Sequence, residues 1–370
     1  MKTNPLKQLG TFGQSIWLDY IRRDLIENGT LSRMIQEDGL LGMTSNPAIF
    51  EKAIAESHEY DGAIQALAGA GRAVQTIYET LSQDDVRRAA EAFMAVYERT
   101  DGGDGYVSLE VNPHLARDTD GTIREARRLW AALDRPNVLI KVPATAEGLP
   151  AIRQLLGEGI NVNVTLLFGL ARYRQVAEAF VAGLEIRAAQ GLELRRVASV
   201  ASFFVSRIDA HMDPLLESFF PQGGKEADLA RTLHGRVAVA SAKLAYQAYK
   251  EIFGAPRFKV LAEAGARPQR LLWASTGTKN PEYADVKYVE ALIGRDTVNT
   301  VPPETLDAYR DHGAPEARLE RGAEKARWVM ARLQGLGLDI NDAARQLEDA
   351  GVAKFDRPFD QLMETLAHRP

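Results

Sequence analysis

The sequence contains no cysteine. That excludes disulfides, thiolate metal sites and cysteine nucleophiles, and it fits a reducing compartment. Histidine is scarce: the six residues are His58, His114, His211, His234, His312 and His368. They show no metal-ligand spacing, and none falls on an apolar strand-like run. A histidine metal site and a Ser–His–Asp triad therefore both lack their parts. No metal and no cofactor is expected. No apolar stretch is long enough to cross a bilayer, and the N-terminal MKTNPLKQLG has no apolar run of signal-peptide length. The expected location is cytoplasmic, with no membrane partner. Positive charge is not concentrated: the net charge is −5 at pH 7, and no basic stripe stands out. Nucleic acid is therefore not an expected partner. A phosphorylated small molecule needs only two or three local cations and stays open as a ligand.

What is present is enough apolar residue for a large core, 45% of 370 residues. Eight short, apolar, β-branched runs recur along the chain. They are SIWLDY (15–20), GMTSNP (42–47), YVSLEV (106–111), NVLIKVPA (137–144), INVNVTLLF (160–168), RVASVASFF (196–204), RLLWASTG (270–277) and TVNTVP (297–302). Amphipathic segments such as 122–133 and 171–190 lie between them, with apolar residues three and four apart. Strand and helix alternating eight times predict an α/β fold, a (β/α)8 TIM barrel with extra helices. The competing doubly wound sheet usually carries a Gly-rich turn after its first strand, and here that strand runs into IRRDL. The span 48–104 reads as mostly helical, and 205–268 as two or three helices. After residue 303 only helical patterns remain, over 314–336 and 341–367, with Asp339 or Asn341 as N-cap of the second. The chain is read as one barrel domain over 1–370, with 304–370 as a C-terminal helical extension packed on it. The acidic DGGDG (101–105) is read as the polar turn into the third strand rather than a calcium loop.

Catalytic groups of such barrels stand at the C-terminal ends of the strands. Those ends offer Asp19 on the first strand and Thr44, Ser45 and Asn46 on the second. Glu110 follows on the third, flanked by Ser108 and Asn112, and Lys141 on the fourth. The fifth offers Asn163 and Thr165, the sixth Ser202 and then Arg207, and the seventh Ser275, Thr276 and then Lys279. The eighth offers little beyond Asn299. A desolvated lysine near another cation attacks carbonyls as the neutral amine, and carboxylates then move the protons. Asn and Ser hold sugar hydroxyls, and rim cations hold a phosphate. Each residue also has a structural reading. Lys141 and Glu110 could be only an ion pair across neighbouring strands, Asp19 a helix N-cap, and TSNP a turn that starts a helix.

The blocks TSNPAIF (44–50), VSLEVNP (107–113), LIKVPAT (139–145), NVNVTLLF (161–168) and SFFVSRID (202–209) resemble the signature blocks of the transaldolase family, in the family's order. The tail EDAGVAKFDRPFDQLMETL (348–366) is similar to the C-terminal helix of longer bacterial members. The resemblance implies a cofactor-free transferase of the pentose phosphate pathway. It would move a dihydroxyacetone unit from sedoheptulose 7-phosphate to glyceraldehyde 3-phosphate, giving erythrose 4-phosphate and fructose 6-phosphate. By position, it implies Lys141 as the Schiff-base lysine and Asp19 as acceptor of the donor's C4 hydroxyl proton. Glu110 would act through a water held by Thr165. Asn46, Asn163 and Ser202 would hold the dihydroxyacetone moiety, and Arg207 the phosphate.

The family's short members carry a second phosphate-binding arginine shortly after an Ala–Ser pair. Here Ala274-Ser275 is followed by Lys279, which takes that place in the reading, with Ser275 beside it. Phe204 stands where the related fructose 6-phosphate aldolases carry tyrosine. Its missing hydroxyl favours transfer over release of free dihydroxyacetone. A dihydroxyacetone-releasing aldolase and a non-catalytic sugar-phosphate-binding barrel are the alternatives. Sugar phosphates are the expected partners, and monomer and homodimer both stay open.

Overall fold

The computed structural model describes residues 4–55 and 57–369, so residues 1–3 of the N-terminal stretch lie outside it. Eight parallel strands close into a barrel in chain order. They are β1 (Gln14–Asp19), β2 (Gly42–Thr44), β3 (Tyr106–Glu110), β4 (Val138–Pro143), β5 (Val162–Leu167), β6 (Ser199–Phe204), β7 (Arg270–Ala274) and β8 (Thr297–Val301). The last closes on the first through Gln14↔Thr297. All eight runs expected from the sequence form strands. Buried on both faces, they read as near-continuous apolar runs because the helices cover the outside.

Side chains alternate along each strand, and this alternation aims the polar residues. Trp17, Tyr106, Leu139, Val200, Leu272 and Val298 pack together in the barrel interior. Ile16, Leu18, Val107, Leu109, Ile140, Val142 and Phe203 pack in the larger cluster under the helices. Asp19 follows Trp17 by two residues, Lys141 follows Leu139 by two, and Glu110 follows Tyr106 by four. All three therefore point inward, one or two steps above the aromatic floor. Gly42 makes that floor fit, because a Cβ there would meet the Trp17 indole at 2.5 Å.

At the opposite end of the barrel the DGGDG turn packs against the strand ends. Asp104 accepts from Ser15 Oγ at 2.7 Å and Trp17 Nε1 at 2.9 Å, and it pairs with Arg270 at 3.0 Å. The turn reading holds, and the buried carboxylate is satisfied by this network.

The helical regions are richer than expected in one place. The span 205–268 holds four α-helices rather than two or three: Ser206–Glu217, Gly224–Leu233, Val237–Phe253 and Pro256–Glu263. Glycines at positive φ, Gly223 and Gly235, and Pro256 cut the amphipathic stretch into pieces. Past β8, helix Pro303–His312 packs against β1. The next helix is shorter than the 314–336 reading and covers only Ala323–Gly335. Gly322 sits left-handed at its N-cap, and the preceding chain turns aside so that Arg318 and Leu319 donate to Ile293 O.

The final helix, Ile340–His368, starts where expected, with Asp339 Oδ1 accepting from Asn341 N at 2.8 Å. It packs on helices Pro47–Ala55, Val74–Arg99 and Ser206–Glu217 and on β5. Gly351 lets it sit low over the barrel: a Cβ there would meet Leu166 Cδ2 at 2.9 Å. Among the described residues no helix is long and apolar enough to cross a membrane.

Candidate active site

Lys141 is 5% exposed at the C-terminal end of β4. Its Nζ donates to Ser45 O at 3.1 Å and lies 3.2 Å from Glu110 Oε2. The pair stems from register, since Glu110↔Lys141 face each other across β3 and β4. Phe355 from the last helix places its ring centroid 5.5 Å from the same nitrogen. A long amine is thus held in a nearly dry place by one carbonyl, one carboxylate and one aromatic face.

Two carboxyls flank it in unlike surroundings. Burial pushes the Glu110 carboxyl up to about 7, against the opposing pull of Lys141. Beyond the ion pair, neither Glu110 oxygen has a hydrogen-bond partner among the described residues, and neither does Thr165 Oγ1. Buried polar atoms of this kind are uncommon and concentrate where a structure has a task for them. Asp19 accepts from Thr44 Oγ1 at 2.7 Å, and Thr44 in turn meets Thr300 Oγ1 at 2.7 Å. Burial raises the Asp19 carboxyl above its ordinary value, while Lys141, the Thr44 hydroxyl, Arg207 and Lys279 pull it back. Asp19 does not cap the following helix, whose N-cap is Arg22.

These groups open onto one cavity of about 160 Å³. Asp19, Asn46, Lys141, Thr165, Ser202, Phe204, Arg207, Ser275 and Lys279 all line it. Arg207 lies over the Phe204 ring at 5.2 Å, and burial lowers its pKa. Among the described residues neither Arg207 nor Lys279 belongs to an ion pair, whereas many other arginines of this chain do. Two unpaired cations on one rim form a ready site for a phosphate. Two non-glycine residues beside the cavity hold left-handed backbone, Leu166 at φ +57° and Ser275 at φ +54°. Such conformations cost about 1–3 kcal/mol and cluster at functional sites. At Leu166 the irregular register of β5 sends Thr165 and Leu166 to the interior in succession.

Of the residues to which the family resemblance gives a role, Glu110 and Asn163 do not line this cavity. Glu110 stands behind Lys141. Asn163 is fully buried below, donating to Ser108 Oγ at 3.0 Å and accepting from Ser202 Oγ at 2.7 Å. Asn46 has a double use: it lines the cavity, and its Oδ1 accepts from Ile49 N at 3.1 Å to start helix Pro47–Ala55. The strand-end reading leaves out Thr300, Pro302 and Glu304, which line the cavity together with Phe355 of the last helix. On β8 it picked out Asn299, which points outward and accepts from Thr276 Oγ1 at 2.9 Å. The period of two along TVNTV would have picked out Thr300, two residues after the inward Val298. Among the described residues no group of three or more His, Asp or Glu is placed to hold a metal ion.

A closed parallel barrel whose mouth gathers a buried lysine, two carboxyls of raised pKa and two unpaired rim cations defines a (β/α)8-barrel enzyme of the lysine–carboxylate kind. Comparison with known proteins narrows this. The model of the transaldolase/fructose-6-phosphate aldolase family matches residues 16–366. A transaldolase of Thiobacillus denitrificans is 49% identical over 97% of this chain and 99% of its own length. One of Trichodesmium erythraeum is 48% identical over 100% and 98%, and one of Thermobifida fusca 47% over 99% and 98%. The chain belongs to the transaldolase/fructose-6-phosphate aldolase family and is an enzyme of the transaldolase class.

Proposed function

We propose that Lys141 attacks the C2 carbonyl of a ketose phosphate and carries its first three carbons, as a dihydroxyacetone unit, to an acceptor aldehyde. The donor is sedoheptulose 7-phosphate and the acceptor glyceraldehyde 3-phosphate; the products are erythrose 4-phosphate and fructose 6-phosphate. The observation that carries this reading is the buried contact of Lys141 Nζ with Glu110 at 3.2 Å, behind a cavity that Lys141 and Asp19 both line. Glu110 takes a proton from the lysine and returns it to the departing carbinolamine oxygen. A carboxyl poised near neutrality suits both directions. A water between Glu110 and Thr165 Oγ1 would satisfy their unpartnered atoms and carry these protons. Asp19, from the other side of the cavity, takes the C4 hydroxyl proton as the C3–C4 bond breaks.

Ser202 and Asn46 hold the dihydroxyacetone hydroxyls, with Asn163 beneath. The amide of Asn163 has two N–H donors, and Ser108 takes one. Arg207 and Lys279, with Ser275 beside them, hold the phosphate. Transfer rather than release is supported by Phe204, which faces the cavity without a hydroxyl to position a hydrolytic water. The enzyme works in the cytoplasm, as monomer or homodimer, on the pentose phosphate pathway. Its barrel and C-terminal helices act as one domain.

Borohydride reduction in the presence of fructose 6-phosphate should add a dihydroxyacetone-derived mass to Lys141, with turnover dependent on erythrose 4-phosphate. An adduct elsewhere, or none, would sink the reading. The rate of adduct formation should rise between about pH 6 and pH 8 through a titration near 7, as ionised Glu110 becomes able to accept the proton. Glu110→Gln should remove that limb and slow adduct formation by about 10²-fold. A limb unchanged in the variant would assign it to another group.

A further inference from the structure

Glu110 separates two spaces. On one side it pairs with Lys141 at the reaction cavity. On the other it lines a second cavity of about 20 Å³ with Tyr78, Glu79, Ser82, Asn112, Glu125 and Phe359. One water needs roughly 10–15 Å³ of such space and two to four polar partners, which the carboxyl, the phenol, the serine and the asparagine supply. The Tyr78 hydroxyl has its pKa raised, first by burial and then by the charge of Glu110, so phenol and carboxyl sense each other. The far rim reaches solvent. Gln75 there is exposed, and the side chains of Glu79 and Glu125 are 20% and 16% exposed, both holding Arg128. On the mouth side Phe355 lies over Lys141 and is 4% exposed, and the rim opens to solvent at Lys279, an opening that a sugar phosphate held by the rim cations would fill.

Imine formation makes a bond from the lysine nitrogen to C2 and breaks the C2–O bond, and the oxygen leaves with two protons as water. Hydrolysis consumes one water by the reverse steps. Each transfer therefore moves one water out of a site plugged by sugar and Phe355, and later one back in. The geometry points to the small cavity as a back door for this water, which passes Glu110 between helices Val74–Arg99, Thr119–Leu133 and Ile340–His368 rather than through the mouth. This rests on the lysine–imine reading above. Tyr78 and Ser82 are positioning residues on the route and touch no substrate.

The test is oxygen exchange. In ¹⁸O-water without acceptor, the enzyme labels C2 of fructose 6-phosphate only by forming and hydrolysing the imine, once the enzyme-free rate is subtracted. Gln75→Trp closes the outer rim, and Ser82→Thr adds one methyl inside. Each is expected to slow exchange by about tenfold, less than the ~10²–10⁴ lost with a general acid–base group itself. The Lys141 adduct should still accumulate to the same extent. Adding Phe355→Ala to either variant opens the mouth and should restore most of the exchange, which would not follow if the plug had merely damaged the fold. Unchanged exchange in both plugged variants, or no restoration by Phe355→Ala, overturns the back door. Absence of any Lys141 adduct in the parent instead overturns the imine reading on which it stands.

Discussion

Lys141→Arg is expected to abolish turnover while the barrel stays folded. The position accepts a long cation: Ser45 O and the Glu110 carboxylate remain as hydrogen-bond acceptors for a guanidinium. What arginine lacks is a neutral form. Its guanidinium stays protonated at any working pH, so it offers no lone pair to a carbonyl. Loss of a covalent nucleophile lowers turnover on the order of 10⁴–10⁶-fold, to whatever the remaining site supports by binding alone. Three measurements belong together: acceptor-dependent turnover, borohydride-trapped mass, and the thermal unfolding midpoint. Turnover within tenfold of the parent would show that Lys141 is only half of an ion pair. Lys141→Met, close in length and uncharged, separates the loss of chemistry from the loss of charge beside Glu110, since it too should be inactive.

Asp19→Asn should break the sequence at a different step. Asparagine keeps an oxygen to accept from Thr44 Oγ1, so the Thr44–Thr300 chain survives. It cannot take the proton from the C4 hydroxyl. Imine formation depends on Glu110, on the far side of Lys141, and should continue. Lys141 is therefore expected to trap the intact ketose with borohydride, a heavier adduct than the three-carbon one, while transfer falls by about 10²–10⁴-fold. The raised pKa of Asp19 makes it a better base once ionised, and burial is the cause of that rise. A variant that still yields the three-carbon adduct at the parent's rate would remove Asp19 from bond cleavage.

Much of this was legible in the chain itself. NVLIKVPA sets one charge among apolar, β-branched residues, the pattern of a buried parallel strand, and its place as fourth of eight strands puts that charge at the barrel mouth. Eight such runs alternating with helical patterns point to a parallel sheet, and the absence of a Gly-rich turn after the first strand favours the closed barrel over the doubly wound sheet. Two-residue alternation, applied from Trp17 to Asp19 and from Leu139 to Lys141, already places the carboxylate and the amine on the same inner face. Where the reading failed, local rules met competing local rules. The four helices of 205–268 exceed the two or three that the sequence predicts, because glycine breaks are weak signals within amphipathic sequence. Asn299 was preferred over Thr300 by residue type, against the alternation.

The sequence by itself determined the eight strands and which polar residues stand at their C-terminal ends, since both follow from periodicity. Only the tertiary structure decided how those residues are buried, paired and brought together. It set Glu110 behind Lys141 rather than on the cavity wall, buried Asn163 between Ser108 and Ser202, left Arg207 and Lys279 without an ion-pair partner among the described residues, and brought Phe355 across more than two hundred residues to cover the amine. The physical reason is that burial, pairing and closure depend on distances between elements remote in the chain. Strand register and helix packing fix those distances, and no local pattern encodes them.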